Sequence, residues 1–126
     1  MYLMDTHCFL WYLRNSPELS ERALAIIDSA PDIYVSIVSL WEIAIKKSIG
    51  KLGIEQSMTQ LEELCAEKYI ALLPIKPKHL DWLGTLEKIH GDPFDRLLIC
   101  QAKSERLCII TKDSIIPRYD DIATLW

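Results

Sequence analysis

Hydrophobic residues follow two different spacings along this chain, and the two spacings alternate. Short apolar runs such as "YLMD" and "IALLPI" are typical of buried strands. Between them, apolar residues recur every three or four positions, as in "ERALAIIDSA", which is typical of helices that bury one face. Strands that alternate with helices favour right-handed βαβ units. The pattern therefore predicts an α/β fold, with a central parallel sheet that is covered by helices on both faces.

The predicted elements can be placed along the chain. We expect strands in "YLMD", "DIYVS", "IALLPI" and "RLCIIT". We expect helices in "THCFLWYLRN", "SPELSERALAIIDSA", "SLWEIAIKKSIGKLG", "SMTQLEELCAEKY", "PKHLDWLGTLEKI" and "HGDPFDRLLICQA". Ser39 is the expected N-cap of the third helix, and Pro77 is the expected start of the fifth. No element is predicted for the tail that ends in "IATLW".

Length and composition predict one domain, which we place at residues 1–126. Half of the chain is hydrophobic and a quarter is charged, so it can bury one substantial core. The apolar runs are too short to span a bilayer, and because Asp5 interrupts the first of them we expect no signal peptide. The four cysteines lie far apart without a C-x-x-C pair, so we expect reduced thiols and a cytoplasmic location.

Acidic residues lie where predicted strands end or where the next helix begins. Asp5 closes the first strand, and Asp113 follows the last one. Glu42 lies one turn into the helix after the second strand, and Asp92 and Asp95 lie in the first turn of the last helix. In an open parallel sheet, these positions belong to the edge formed by the carboxyl ends of the strands, where binding sites form. Four of these acids, all except Asp92, could therefore meet at one point.

Each acid also has a purely structural explanation. Asp5 and Asp92 could cap the helices that follow them, with Asp95 in the first turn. Glu42 could form a surface ion pair with Lys46 one turn later. The acid after the last strand could be an ordinary turn residue. Each explanation suffices for one residue, but four independent coincidences at one edge are harder to accept than one shared site.

Clustered carboxylates point to a bound cation, because they repel one another without one. Carboxylate oxygens favour Mg²⁺ or Mn²⁺ over zinc, and no pair of histidines has zinc spacing. We expect His7, His79 and His90 to be structural or surface residues, and we do not expect Cys8 to be a nucleophile. A divalent ion with open coordination positions suits phosphodiester hydrolysis, because it can activate water and stabilise charge on the phosphate oxygens.

Charge gives mixed indications about nucleic acid. The net charge of −4 argues mildly against such a partner, unless a cation neutralises some of the carboxylates. Six basic residues fall near the predicted edge: Lys46, Lys47, Lys51, Arg96, Lys112 and Arg118. They could hold a phosphate backbone, and a solvated face explains them equally well. We take Lys46, Arg96 and Lys112 as the candidates for nucleic-acid contact. None of the four glycines forms a dinucleotide-binding or P-loop motif.

Four segments together resemble the acidic motifs of PIN-domain ribonucleases, and most closely those of VapC-type toxins from prokaryotic toxin–antitoxin modules. They are "LMDTHCFLWYL", "VSIVSLWEIAIKKSIGKL", "HGDPFDRLLICQA" and "LCIITKD", and they cover essentially the whole chain in the right order. The resemblance implies a three-layer α/β/α fold and a Mg²⁺-dependent endoribonuclease (Mn²⁺ is a possible substitute) that cuts RNA, usually tRNA or rRNA. It also implies a homodimer and a cognate antitoxin that covers the active site, with "FLWYL" and "SERALAIIDSA" as candidate contact surfaces.

The same resemblance implies roles for individual residues. Four acids match the catalytic, metal-binding positions: Asp5, Glu42, Asp95 and Asp113. Thr6 and Thr111 match small hydroxyl positions near the site. We expect Asp92 to support the site as the N-cap of the last helix, with Asp95 at the third helical position as a metal ligand.

Two other classes of function stay open at this point. A receiver-like phosphoryl-signalling domain also combines a parallel sheet with clustered acids, but this chain lacks an acidic pair near residue 5 and a phosphoacceptor aspartate on a central strand. A binding module could keep the fold without catalysis, although the complete set of acids argues against it. Incubation with RNA, with and without Mg²⁺, separates the three classes.

Overall fold

The structure is a computed structural model that describes residues 1–126. One central sheet contains five strands: β1 (Tyr2–Met4), β2 (Ile33–Ser36), β3 (Ile70–Leu73), β4 (Cys108–Ile110) and β5 (Thr124–Leu125). Their order across the sheet is β3-β2-β1-β4-β5, and every neighbouring pair is parallel. The chain therefore moves outward from β1 to β3 and then returns to the other side of β1.

Six α-helices connect the strands and cover both faces of the sheet. They are α1 (Thr6–Leu13), α2 (Glu21–Ser29), α3 (Ile37–Ser48), α4 (Met58–Glu67), α5 (Pro77–Asp81) and α6 (Pro93–Glu105). Neighbouring strand residues point to opposite faces, so Leu3 and Met4 belong to two different apolar clusters, one on each side of β1. This arrangement confirms the predicted three-layer α/β/α fold. None of the helices combines the length and hydrophobicity that crossing a bilayer requires.

The start of α3 differs from the prediction. Its N-cap is Ser36, whose hydroxyl accepts a hydrogen bond from the Val38 amide at 3.0 Å. The Ser36 hydroxyl also lies 2.5 Å from Oε1 of Gln101, so a contact with α6 selects the earlier serine. The predicted cap, Ser39, lies inside the helix, where its buried hydroxyl accepts from Thr6.

Other elements also differ from the prediction. The second helix begins at Glu21 with Ser20 as its N-cap, rather than near Pro17. The helix that begins at Pro77 is short and is followed only by a 3-10 turn at Trp82–Gly84. Glycine is a poor helix former, which fits an end at this point. The tail, left without a predicted element, adds β5 to the sheet.

This topology determines where a site can form. The sheet extends in opposite directions from β1 and β4, so the connections that leave their carboxyl ends diverge and open a crevice between them. Asp5 follows β1 directly, and Asp113 lies shortly after β4.

Candidate active site

An acidic cleft lies at the carboxyl ends of β1 and β4, where the topology opens the sheet. Its volume is about 430 Å³, and its lining residues are Asp5, His7, Trp11, Asp95, Lys112, Asp113 and Ser114. Three of the four predicted acids therefore share one cavity. A larger cavity of about 840 Å³ lies at the opposite, amino ends of the strands, but only one acid, Asp121, lines it. Size alone thus does not identify the site, whereas the gathering of carboxylates does.

Asp5 both caps α1 and lines the acidic cleft. It is the N-cap of α1, because its Oδ1 accepts from the Cys8 amide at 2.8 Å. Its Oδ2 accepts from the Thr111 hydroxyl at 2.5 Å. The residue is only 6% exposed. Burial raises the pKa of Asp5 above its ordinary value, and the hydrogen bond from Thr111 opposes this shift.

The two predicted hydroxyl residues take different places. Thr111 links two acids, because it donates to Asp5 and its oxygen accepts from the Asp113 amide at 3.0 Å. Thr6 donates to the Ser39 hydroxyl at 2.9 Å and so joins α1 to α3. Thr111 therefore touches the acids directly, whereas the Thr6 hydroxyl bonds to α3.

The first turn of α6 has the predicted geometry. Asp92 is the N-cap, and its Oδ1 accepts from the amides of Phe94 at 2.8 Å and Asp95 at 3.3 Å. Pro93 occupies the first helical position, where no amide donor is lost. The cap leaves Asp95, two residues further on, lining the acidic cleft.

The cap at Asp92 can be tested through stability. Asp92→Ala should lower the free energy of unfolding by about 1 kcal/mol, because the first-turn amides lose their acceptor. Asp92→Asn should leave stability nearly unchanged, since asparagine caps about as well as aspartate. Urea unfolding of the two variants beside the wild type measures this. Equal destabilisation by alanine and asparagine would show that the cap is not what this side chain provides.

Burial and neighbouring carboxylates both disfavour the ionised form of Asp95. Burial, followed by the negative charge of Asp92, raises the pKa of Asp95 to about 7, and the charges of Glu42 and Asp5 act in the same direction. His90 opposes the shift. Without a cation, a large fraction of this carboxyl is therefore protonated near neutral pH.

Glu42 is buried and does not line the cleft. It is only 5% exposed, and its Oε2 lies 2.7 Å from the Lys46 ammonium, one turn further along α3. The ion pair considered as its structural explanation is therefore present. Its charge still reaches Asp95, whose pKa it helps to raise.

His90 contacts the acids, although its sequence context indicated only a structural or surface residue. Its Nε2 lies 3.0 Å from Oδ2 of Asp113 and 3.9 Å from Oδ2 of Asp95. The Tyr119 hydroxyl accepts from the His90 amide at 2.8 Å and lies 3.1 Å from Nδ1. If that hydroxyl donates to Nδ1, the ring proton is on Nε2 and points at Asp113. The only signal in the sequence was the closeness of His90 to Asp92.

Of the other residues considered, His79 and Cys8 are buried, whereas His7 is exposed at the cleft. His79 is fully buried between the Lys76 amide and Glu105, as a structural residue. His7 is exposed and lines the acidic cleft. Burial raises the pKa of the Cys8 thiol well above its ordinary range, so it offers no thiolate near neutral pH.

The three candidates for nucleic-acid contact do not line one common cavity. Lys112 lines the acidic cleft and pairs with Glu18 at 2.9 Å. Lys46 is held by its ion pair on α3. Arg96 does not line the cleft, and its guanidinium donates to the Glu87 carbonyl at 2.8 Å.

The donor atoms suit a hard divalent cation. Potential ligand atoms of His90, Asp95 and Asp113 all lie within 4.8 Å of one another, and Asp5 lines the same cleft. Carboxylate oxygens are the ligands that Mg²⁺ and Mn²⁺ prefer. The raised pKa values of Asp5 and Asp95 show that holding these charges here is costly without a counter-ion. The residues present therefore fit such an ion.

Comparison with known proteins supports the same family. The PIN-domain family model matches residues 2–122. No curated protein matches the chain by sequence. A chain of VapBC2 from Rickettsia felis, a structure bound to a DNA fragment from the promoter, is similar with a TM-score of 0.73 and 17% identity, over 98% of this chain and 96% of that one.

Two further solved structures share the fold. FitAcB from Neisseria gonorrhoeae has a TM-score of 0.65 and 22% identity, over 100% of this chain and 97% of that one. A toxin–antitoxin complex from Klebsiella pneumoniae has a TM-score of 0.68 and 14% identity, over 100% and 97%. At these identities the likeness shows the fold, whereas the family model covers almost the whole chain. The chain therefore belongs to the PIN-domain family of nucleases.

Proposed function

We propose that this protein is a metal-dependent endoribonuclease toxin of the VapC type, held inactive by a cognate antitoxin in the cytoplasm. The observation that carries the proposal is the gathering of Asp5, Asp95 and Asp113 in one cleft of a PIN-family chain. The structural neighbours add support, because they include VapBC2 and a complex described as toxin and antitoxin. The four unpaired cysteines fit a reducing compartment.

In this proposal Asp5, Asp95 and Asp113 hold Mg²⁺ or Mn²⁺, and Glu42 adds negative charge near Asp95. When bound, such an ion supplies an activated water and stabilises charge on the scissile phosphate. The chain holds the metal-binding carboxylates in fixed positions. Thr111 and the start of α1 hold both oxygens of Asp5. The positive end of the α6 dipole favours an anion at Asp95, which opposes the effect of burial and helps that carboxylate to ionise.

His90 positions Asp113 in this scheme. The Asp113 carboxylate also accepts from the amides of Ile115 at 3.3 Å and Ile116 at 3.2 Å, so His90 is the one side chain that orients it. Tyr119 holds the imidazole in turn through its hydroxyl and by stacking, with ring centres 5.5 Å apart. Such supporting partners are part of how a protein tunes a metal site.

Removal of the His90 side chain should be costly for activity. We expect His90→Ala to lower cleavage by roughly 10- to 100-fold, the range found when an outer-shell partner is lost. His90→Gln, which can still donate to Asp113, should recover part of the activity. Mn²⁺ affinity measured by calorimetry should fall in parallel for His90→Ala. Wild-type cleavage and Mn²⁺ affinity in His90→Ala would remove this role.

The proposed partners, a second copy of the chain and an antitoxin, need apolar surface. The helix α3 and its C-cap residue expose Ile37, Trp41, Ile45 and Ile49 at four-residue spacing, with exposed fractions from 37% to 58%. An apolar stripe of this kind marks contact with another protein. In the suggested surface "FLWYL", Phe9 and Leu10 belong to the core and are not available for contact.

Growth of a bacterial host tests the toxin role. Induced expression of the wild-type chain should stop growth, and co-expression of its antitoxin should restore it. Asp5→Asn, expressed to the same level, should permit growth because it lacks the metal ligand. If the wild type and Asp5→Asn permit equal growth, the protein is not a toxin that acts through this site.

A further inference from the structure

A second cavity adjoins the acidic cleft and has the opposite charge. Its volume is about 180 Å³, and it shares His7 and Trp11 with the cleft. Three basic residues line it, namely Arg14, Lys46 and Lys51, and no acidic residue does. The chain therefore presents an acidic and a basic cavity on the two sides of one aromatic pair.

The two cavities are separated by the His7–Trp11 pair, which we call the wall. His7 and Trp11 are one turn apart on α1, and their rings stack with centres 5.7 Å apart and planes 26° apart. Trp126 packs its ring against Trp11 at 5.8 Å, and the Lys112 ammonium lies 5.8 Å from the centre of the Trp11 ring. A ligand that extends from one cavity to the other must pass over this wall.

Among the three basic residues, Lys51 is the one whose charged group makes no contact within the chain. Arg14 donates to the Gly53 carbonyl at 2.7 Å, and Lys46 is paired with Glu42 at 2.7 Å. The exposed Lys51 ammonium makes no ion pair. The cavity can therefore receive an anion without first breaking a contact of this lysine.

We propose that the wall and the basic cavity form a nucleotide subsite beside the scissile phosphate, an inference that rests on RNA cleavage in the acidic cleft. One base packs on the His7–Trp11 pair, and a neighbouring backbone phosphate enters the basic cavity. Aromatic side chains are common platforms for unpaired bases, and lysine and arginine hold phosphates. Bases within a duplex are already stacked, so this subsite selects single-stranded RNA.

Binding of a short, fluorescently labelled single-stranded oligoribonucleotide to the full chain tests the subsite. The titrations are made in chelator, where RNA should stay intact. We expect Trp11→Ala to weaken binding roughly 5- to 150-fold, as loss of one base stack does, and Trp11→Phe to keep most of it. Lys51→Glu should weaken binding and reduce the slope of log affinity against log salt by about 0.7, the value for one single-strand phosphate contact.

The control reverses a charge elsewhere. Arg22 is exposed and lines the cavity at the amino ends of the strands, so Arg22→Glu changes the net charge equally but should bind RNA nearly as the wild type does. Thermal melts show whether Trp11→Ala is folded. If it is not, Lys51→Glu, at an exposed position, decides the question.

The outcomes separate this inference from the proposed function. A wild type that cuts RNA while Lys51→Glu binds as tightly as Arg22→Glu would overturn the subsite alone. A Lys51→Glu variant that binds RNA normally but loses the antitoxin would assign the cavity to that protein and would also overturn it. A wild type that neither binds nor cuts RNA would refute the proposed function itself.

Discussion

Asp95→Asn should lower RNA cleavage by more than about 100-fold, because removal of even an outer-shell partner of a metal costs roughly 10- to 100-fold. Asp92→Asn should keep most of the activity, although the two aspartates lie three residues apart. Asparagine caps a helix about as well as aspartate, so Asp92→Asn preserves the hydrogen bonds at the start of α6. An amide is a poorer ligand than a carboxylate for a hard cation, so Asp95→Asn weakens the metal site.

The expected loss at Asp95 is not a loss of folding. Burial and neighbouring negative charges raise the pKa of Asp95, so a neutral amide there should leave the metal-free fold as stable as the wild type or more stable. Single-turnover cleavage measured beside thermal melts tests both halves of the prediction. If Asp92→Asn proves as inactive as Asp95→Asn while remaining folded, then Asp92 belongs to the metal site and the two roles are not separate.

Mg²⁺ should stabilise the wild type strongly, and more so as the pH rises. An ion at about 100 times its dissociation constant adds about 2.7 kcal/mol to the free energy of unfolding. For a chain of this size, that gain should raise the melting temperature by roughly 10 °C. Asp95→Asn should lose most of this shift, and Asp92→Asn should retain it.

The pH dependence follows from the raised pKa of Asp95. This pKa is about 7 in the folded protein and about 3.9 in an unfolded chain. Between these values the folded state binds more protons, so without metal the stabilising contribution of this carboxyl is complete at low pH and is lost as pH rises through about 7. Metal binding needs the ionised form, so the Mg²⁺ effect should grow over the same range.

Melts at pH values of about 6 and 8, with and without Mg²⁺, measure both trends. The wild type without metal should lose more stability between these pH values than Asp95→Asn does, since the variant lacks the titrating group. Equal Mg²⁺ shifts in wild type and Asp95→Asn would show that this carboxylate does not bind the ion.

The fold was predictable because its main signals are local. Strands buried on both faces are short apolar runs, and the acids that follow β1 and β4 mark the edge where parallel strands end. Asp92, Pro93 and Asp95 define the start of α6 within four residues. In contrast, β5 has only two residues, too few to show any periodicity, so its place depends on pairing with β4.

Details of the site depended on contacts that are distant in sequence. The choice of Ser36 over Ser39 as a cap involves Gln101, 65 positions away. The role of His90 depends on Asp113 and Tyr119, which the chain reaches only after β4. Spacing could place these residues in the correct elements, but it could not show which side chains meet.

The most direct test is RNA cleavage by the purified protein in chelator, and then in Mg²⁺, Mn²⁺ or Zn²⁺. Cleavage should be absent in chelator, return with Mg²⁺ or Mn²⁺, and return poorly with Zn²⁺, because the acids of the cleft offer oxygen ligands. Asp5→Asn should stay inactive in every condition, which guards against a contaminating nuclease. Undiminished cleavage by the wild type in chelator, or equal cleavage by Asp5→Asn, would contradict a metal-dependent ribonuclease at this cleft.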